Sequence, residues 1–478
     1  MNNPEKEPKI LLGLEIHITV NSRKKIFNWE DTYKGDVLPN SQVGSWELGY
    51  LGVLPIINPE VICLGLKLAT ALEMKISKVI LFDRKIYNYF DLPKGYQITQ
   101  QEVPLATNGH LPIIQENKVE KIPIKVLQLE EDTAKSTYSK EGIKLDFNRA
   151  GNPLIELVTE PVFSQVEAVL IFVKQLQNLL RYLEVSEAKM EQGQLRVDLN
   201  FSLKLGDNYS TPRYEIKNLN SLTNIEKSLK HEISKHQLLF SQGQKPPTSQ
   251  TLGFDEAQQI TVTHREKTNY YYLPEVNIPP IKLKGGEIKK IKKDLPKLPW
   301  RYWEELKEID PKTANEVIKI PLLMKIFNLL EKKKFLAKEE YKNWLTFYLN
   351  YLTPYLGDRN IDLFSKNPKS YYELFRHWKE KKLDNEEIKS IIKELTETKK
   401  NFASLIKKYE KKVDINENLI EKELKNLWND ELAKMMITNR QKVQNYLLGQ
   451  IRKKLPDYPP KEVILIIVNF LKEKTWCK

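Results

Sequence analysis

Glu15 and His17 lie two residues apart in the run Leu14-Glu15-Ile16-His17-Ile18. On a strand that spacing puts a carboxylate and an imidazole on one face. Together they can share a divalent cation, although a solvated strand face is the commoner reason for an isolated Glu-x-His. Glu130, Glu131 and Asp132 follow the alternating run Leu127-Gln128-Leu129. Three successive acids repel unless water or a cation separates them, and on its own such a run is more often a charged turn. Glu156 and Glu160 bracket Leu157-Val158-Thr159, Asp198 and Asn200 share a strand face, and Glu215 and Lys217 sit on the alternating run Tyr214-Glu215-Ile216-Lys217-Asn218-Leu219. If these residues converge on one antiparallel sheet, the carboxylates and the single imidazole would suit Mg²⁺ bound with a nucleotide phosphate. The glycines form no G-x-x-x-x-G-K-[ST] or G-x-G-x-x-G loop, and no G-x-S-x-G elbow occurs. ATP, if used, would therefore be handled by carboxylates and metal. Residues 82–100 mix charged, aromatic and turn residues without amphipathic periodicity, a texture that suits a ligand wall, a channel or an interface.

The elements that must position these groups differ between the two parts of the chain. Before residue 280, short β-type runs alternate with turns, and Leu195 to Leu205 alternates strictly, with Arg196, Asp198, Asn200, Ser202 and Lys204 on one face. Helical spacing appears over 59–72 and 164–183; in the second, Ser164 with Glu167 three residues on predicts a capping box. Residues 274–299, with Pro279-Pro280, Gly285-Gly286, Pro296, Pro299 and a lysine cluster, predict a connector. Beyond it the pattern is helical over 300–356 and 370–409, is punctuated near Asp414-Ile415-Asn416, and is helical again from about 415. The fold class is thus α+β, an antiparallel-sheet domain followed by two small all-helical domains.

Net charge is +13 over 478 residues. Residues 1–280 carry −2 and residues 281–478 carry +15. That asymmetry points to a polyanion partner for the second part, with a lysine-rich soluble surface as the alternative. Cys63 and Cys477 are the two cysteines, which leaves neither a disulfide framework nor a multi-cysteine zinc site. There is no apolar run of about 18 residues and no apolar signal core near Met1, so a cytoplasmic protein without a membrane span is expected.

The motifs resemble those of the B subunit of aspartyl/glutamyl-tRNA amidotransferases, the GatB family. Eight segments carry the resemblance in family order: Gly13-Leu14-Glu15-Ile16-His17, Phe82-Asp83-Arg84-Lys85, Asp91-Leu92-Pro93-Lys94-Gly95-Tyr96-Gln97-Ile98, Leu129-Glu130-Glu131-Asp132, Asn148-Arg149-Ala150-Gly151, Pro153-Leu154-Ile155-Glu156, Thr159-Glu160-Pro161 and Glu215-Ile216-Lys217-Asn218-Leu219-Asn220-Ser221. Near the end, Tyr446-Leu447-Leu448-Gly449-Gln450 adds to it. The resemblance implies a cradle-like catalytic domain over 1–290, a helical domain over 291–410 and a helical tail over 411–478 that binds tRNA. It implies ATP- and Mg²⁺-dependent phosphorylation of the side-chain carboxylate of Glu or Asp on mischarged tRNA(Gln) or tRNA(Asn). Ammonia from the partner amidase, which is the family's A subunit, would then displace phosphate, with the small C subunit clamping the assembly. By motif position Glu15, His17, Glu130 and Glu215 are the metal-site set, with Glu156, Asp198 and Asn200 as further candidates. Lys85, Asp91, Lys94, Glu131 and Thr159 are candidates for the ammonia path.

Three departures qualify the resemblance. Where many members carry Cys-x-Cys and Cys-x-x-Cys, this chain has Asn28, Glu30, Gly44 and Glu47; no zinc is expected, and packing of Trp29 and Trp46 would hold the insertion instead. Gln128 stands where a His is usual. The family's Asp-Tyr-Arg-Tyr-Phe-Pro-Glu-Pro-Asp-Leu reads Asn269-Tyr270-Tyr271-Tyr272-Leu273-Pro274-Glu275-Val276-Asn277-Ile278. The alternative to an active subunit is a degenerate one that binds tRNA and the amidase without phosphorylating. A free-standing small-molecule carboxylate kinase leaves the basic part unexplained.

Overall fold

The computed structural model describes residues 9–35, 37–205, 209–244, 250–255, 258, 260–263, 270–308, 310–356, 364, 368–397, 402–409, 417–455, 458 and 460–476. Asn269, the punctuation at 414–416 and Cys477 lie outside them. The chain divides into two compact units, Met1–Pro368 and Lys369–Lys478.

The first unit opens with β1 (Lys9–Thr19) and α1 (Pro59–Ala71), then β2 (Lys75–Ile76), β3 (Val79–Ile80), β4 (Asp83–Ile86) and β5 (Tyr96–Thr99). Strands β6 (Ala106–Gln115) and β7 (Lys118–Glu131) precede the hairpin of β8 (Lys135–Ser139) and β9 (Gly142–Asp146). Next come β10 (Pro153–Thr159), α2 (Val166–Tyr182), β11 (Leu195–Leu205), β12 (Tyr209–Ser210), β13 (Tyr214–Leu219) and α3 (Leu222–Ser241). Strands β14 (Thr251–Asp255), β15 (Ile260–Thr263), β16 (Tyr271–Pro274) and β17 (Ile281–Lys282) lead into α4 (Gly285–Asp294).

A ten-stranded sheet has the order β15-β14-β13-β11-β1-β10-β7-β6-β2, with β12 beside β11. The pairings are antiparallel except that of β13 with β14. Alternation decides which way it faces. Leu195, Val197, Leu199, Phe201 and Leu203 are buried on one side of β11, so the intervening polar positions take the other side. Helices α1, α2 and α3 pack on β7, β6 and β11. Gly65 of α1 lets the helix settle against Leu129, where a Cβ would stand 3.0 Å from the leucine side chain. A second sheet, β16-β4-β5, takes β4 and β5 from the segment that lacked periodicity and β16 from much later in the chain.

Three expectations are corrected. Helix α2 starts at Val166 with Gln165 as N-cap and no side-chain cap, so Ser164 makes no capping box. The reason is upstream: Phe163 exchanges backbone bonds of 3.0 and 3.1 Å with Leu12, which holds the chain extended past Ser164. The stretch 274–299 is more than a connector. It contains β17, paired to β3, and α4, packed on α1. Trp29 does not hold the insertion, because it is 61% exposed; Trp46 is buried. The expected zinc-ribbon positions form a hydrogen-bonded knot instead. Asn28 Nδ2 donates to both oxygens of Glu47 at 2.6 Å, the Gly44 amide donates to Glu47 at 2.9 Å, and the Glu30 amide donates to Asn28 Oδ1 at 2.7 Å. Lys25, also buried, sits 4.0 Å from Glu47 and balances its charge.

Helices Pro299–Leu306, Pro311–Val317, Pro321–Lys332 and Tyr341–Phe347 follow, continued by Tyr348–Leu352 and Thr353–Leu356. By contact they fall in the first unit. Tyr182 on α2 donates to the Lys297 carbonyl at 2.8 Å, and Lys325 pairs with Glu184 at 2.6 Å. In the second unit, the helices Glu417–Leu427, Asp430–Thr438, Arg440–Lys454 and Pro460–Trp476 share one apolar core that includes Ile420, Leu424, Val443, Leu447, Val463 and Ile467.

Candidate active site

Strand register brings the predicted acids together. On β1, Glu15 lies opposite Asp198 of β11, and His17 lies opposite Arg196 on one side and Glu156 of β10 on the other. Glu156 in turn faces Gln128 of β7, and Glu215 of β13 faces Asn200. Because side chains alternate, Glu15, His17, Glu156, Gln128, Glu130, Asp198, Asn200 and Glu215 share the polar face of five adjacent strands.

Within that face, Glu15, His17 and Glu156 are close enough for ligand atoms from all three to lie within 4.8 Å of one another; it is the one such group of acids, histidines and cysteines among the described residues. His17 Nε2 is 3.5 Å from Glu156 and 3.8 Å from Glu15. Burial opposes charge on the ring, but the hydrogen bond to Glu156 and its negative charge prevail, and the pKa is pushed up to about 9. Burial and the neighbouring Glu156 raise Glu15 to about 7. Glu156 itself is held below the usual carboxylate range: burial opposes this, but the hydrogen bond and charge of His17 outweigh it. The triad thus concentrates negative charge that the His17 proton only partly answers.

The remaining acids take separate partners. Glu130 is buried; its Oε1 accepts from Gln97 at 2.5 Å, while Oε2 accepts no hydrogen bond and lies 3.9 Å from Lys85 Nζ. Burial raises its pKa, against the pull of Lys85. Asp198 accepts from the Asn218 amide at 2.7 Å, and Lys217 stands 3.8 Å from Asp198 and 3.2 Å from Glu215. Glu131 points to the other side of β7, where it binds Lys94 at 2.7 Å and the Ile98 amide at 2.9 Å. Asp132 pairs with Arg196 at 3.2 Å and Arg149 at 3.5 Å. The three successive acids therefore diverge to separate cationic partners and are not a charged turn.

The small sheet roofs this face. Tyr272 pairs in register with Lys85, and Lys85 with Gln97. Lys85 Nζ also lies 4.8 Å over the Tyr270 ring. Burial opposes its charge, but Glu130 and Glu156 raise its pKa. Of the candidates for an ammonia path, Lys85 thus stands with Glu130, and Lys94 with Glu131 beneath Trp46, whose ring is 4.2 Å from Lys94 Nζ. Asp91 lends its carbonyl to the Ala134 amide. The Thr159 hydroxyl accepts the Leu14 amide at 2.9 Å, beside the register shift at Val158/Thr159. Gln97 is a site residue that sequence reasoning misses, whereas Gln128, noted for standing where a His is usual, lies on the site face. Alternation on β7 places Gln128 with Glu130, but nothing in one sequence shows that the Gln128 amide donates to Glu156 at 3.1 Å.

The donor set fits Mg²⁺: carboxylate oxygens at spacings that repel without a cation, and a buried Glu130 oxygen that lacks a donor. Residues 10–289, which hold this polar sheet face and the second sheet, match the family model described as the GatB/GatE catalytic domain. The likeness runs beyond that domain. The B subunit of the aspartyl/glutamyl-tRNA(Asn/Gln) amidotransferase of Mycoplasmopsis agalactiae is 35% identical over 98% of this chain and 99% of that protein. Its counterpart in Thermotoga maritima is 33% identical over 92% of each, and that of Coprothermobacter proteolyticus is 43% identical over 58% of this chain and 59% of its own. The chain belongs to the B-subunit family of these amidotransferases.

Proposed function

We propose that this chain activates and amidates the side-chain carboxylate of Glu or Asp carried on mischarged tRNA(Gln) or tRNA(Asn). A carboxylate resists ammonia because its negative charge shields the carbonyl carbon and it has no leaving group. Phosphorylation removes both obstacles. A carboxylate oxygen attacks the γ-phosphorus of ATP and ADP leaves; ammonia then attacks the acyl carbon, expels phosphate and loses a proton. Mg²⁺, when bound, neutralises charge on the transferring phosphoryl group. Glu15 and Glu156 would hold it, with His17 joining once it gives up its proton and Glu130 completing the set. Lys85 would offer a fixed positive charge to the phosphoryl oxygens. The Lys94–Glu131 pair, on the far side of β7, would belong to the path by which ammonia arrives from a partner amidase, with a small third subunit binding the assembly.

The observation that carries this reading is the Glu15–His17–Glu156 group with the donor-less Glu130 oxygen on the same sheet face. The test is co-expression with the amidase and the small third subunit, followed by assay of mischarged tRNA with ATP and Mg²⁺. ATP hydrolysis should require charged tRNA and be lost in Glu156→Gln. Unchanged hydrolysis in that variant would remove the metal assignment. A protein that docks tRNA and amidase without phosphorylating is the competing reading, favoured by the altered segment in which Tyr271 stands 70% exposed. It predicts tRNA binding with no ATP turnover in the same assay.

A further inference from the structure

Helix α4 carries a charge pattern that the site does not use. Ile288 and Ile291 are its half-buried positions, while Lys289, Lys290, Lys292 and Lys293 are exposed. At 100° per residue the four lysines span an arc of about 160°; Lys289, Lys290 and Lys293 point away from the isoleucines, and Lys292 flanks Ile288. The isoleucines fit the packing of α4 on α1. Lys282 on β17 and Lys78 beside β3 are exposed too, and the backbones meet where the Leu283 amide donates to the Lys78 carbonyl at 3.0 Å.

These six lysines form no ion pair among the described residues. Several lysines elsewhere in the same unit do: Lys297 with Glu305 and Glu331, Lys319 with Glu316, Lys342 with Asp310. Lys289 with Lys292 and Lys293, and Lys290 with Lys293, are like-charge neighbours at i,i+3 and i,i+4, each costing roughly 0.2–0.5 kcal/mol in a helix. The helix C-terminus offsets part of that for Lys292 and Lys293, but not for Lys282 or Lys78, which lie outside the helix. An uncompensated basic ridge on a unit whose first 280 residues net −2 complements a polyanion.

We propose that this ridge binds the sugar-phosphate backbone of the tRNA substrate, so that the catalytic unit itself grips RNA independently of the terminal helical unit. The proposal rests on the tRNA reading above. Lysines contacting phosphates release counterions, and affinity then falls with salt in proportion to the contacts made. The test uses the full complex with its partner subunits and the quadruple variant Lys289→Gln, Lys290→Gln, Lys292→Gln and Lys293→Gln, which keeps both isoleucines. Its KM for mischarged tRNA should rise about tenfold or more at moderate salt. The slope of log affinity against log salt should shrink by roughly two to four. The KM for ATP and kcat at saturating tRNA should stay as in the wild type, and the melting temperature should not fall. An unchanged tRNA KM and salt slope would overturn the proposal while leaving the function intact. So would weakened assembly with the amidase at unchanged tRNA affinity, which would mark the ridge as a protein interface. If the wild-type complex itself shows no saturable dependence on tRNA, the function reading fails and this one with it.

Discussion

His17 lies between two carboxylates, and that placement separates residues that motif position alone had treated as equals. Glu15 and Glu156 both reach it, whereas Glu215 is held by Lys217 at 3.2 Å and by the Thr251 hydroxyl at 3.1 Å. Both Glu15→Gln and Glu215→Gln should lower tRNA-dependent ATP hydrolysis, but Glu15→Gln should raise the half-saturating Mg²⁺ concentration more, by about tenfold or above. A larger metal effect at Glu215 would place the ion on the β11–β13 side of the face. If Glu156 holds the ion as proposed, Gln128 would act one step removed, through its amide on Glu156. Outer-shell partners of metal ligands typically contribute about 10–100-fold in metal affinity. Gln128→Leu should therefore weaken Mg²⁺ activation by about tenfold without changing the KM for tRNA. Unaltered Mg²⁺ titration would show that Glu156 is oriented by His17 alone.

Elements hold the face in register, and two of their contacts are open to measurement. On α3, the buried Glu232 meets His236 at 3.0 Å and Lys235 at 2.9 Å, and accepts from Thr261 of β15, with the Tyr214 ring edge-on to His236. Burial alone would raise its pKa, yet these hydrogen bonds lower it to about 2 from 4.5. A lowered carboxylate pKa stabilises the fold fully above pH 4.5, and that contribution drains away as pH falls toward 2. Glu232→Gln should cost about 3 kcal/mol at neutral pH, with the gap to wild type narrowing over that acid window in urea titrations. A gap that did not vary with pH would mean that the pair contributes by packing. On β6, a Cβ at Gly109 would stand 2.7 Å from the Leu72 carbonyl oxygen at the end of α1. Gly109→Ala should destabilise by roughly 1–3 kcal/mol through overpacking, seen as a lower urea midpoint; an unshifted midpoint would show that the β2–β6 edge yields.

Over the whole molecule, the charge boundary near residue 280 and the unit boundary at residue 368 fall at different places. The last four helices own a separate apolar core running from Ile420 to Leu471, so their removal takes out a complete bundle. Deleting the residues after 410 should impair tRNA-dependent turnover far more than assembly with the amidase, measured by tRNA KM and by co-purification. Equal tRNA affinity of truncated and full chains would assign the grip to the residues before 410. The relatives are named as B subunits, and the match to one of them spans nearly the full chain; both facts fit a protein that works within a larger assembly.

Local pattern determined much of this. The strict alternation of Leu195 to Leu205 sets β11 and its two faces, because a pleated strand has a period of two whatever surrounds it. The eight ordered segments pointed to the family, and the excess of lysine in residues 281–478 marked the basic part. Tertiary structure decided what distance along the chain conceals. Glu15, Glu156 and Glu130 belong to three strands, and only cross-strand register sets their spacing. Ser164 lost its cap because Phe163 pairs with Leu12, a contact between residues far apart in sequence. The connector became β17 and α4 because β3 and α1 were there to receive them. Asn28, Gly44 and Glu47 show the same division: the sequence announced that cysteines were missing, and the fold alone disclosed the hydrogen-bonded knot in their place, since a buried carboxylate must find its donors wherever the chain brings them.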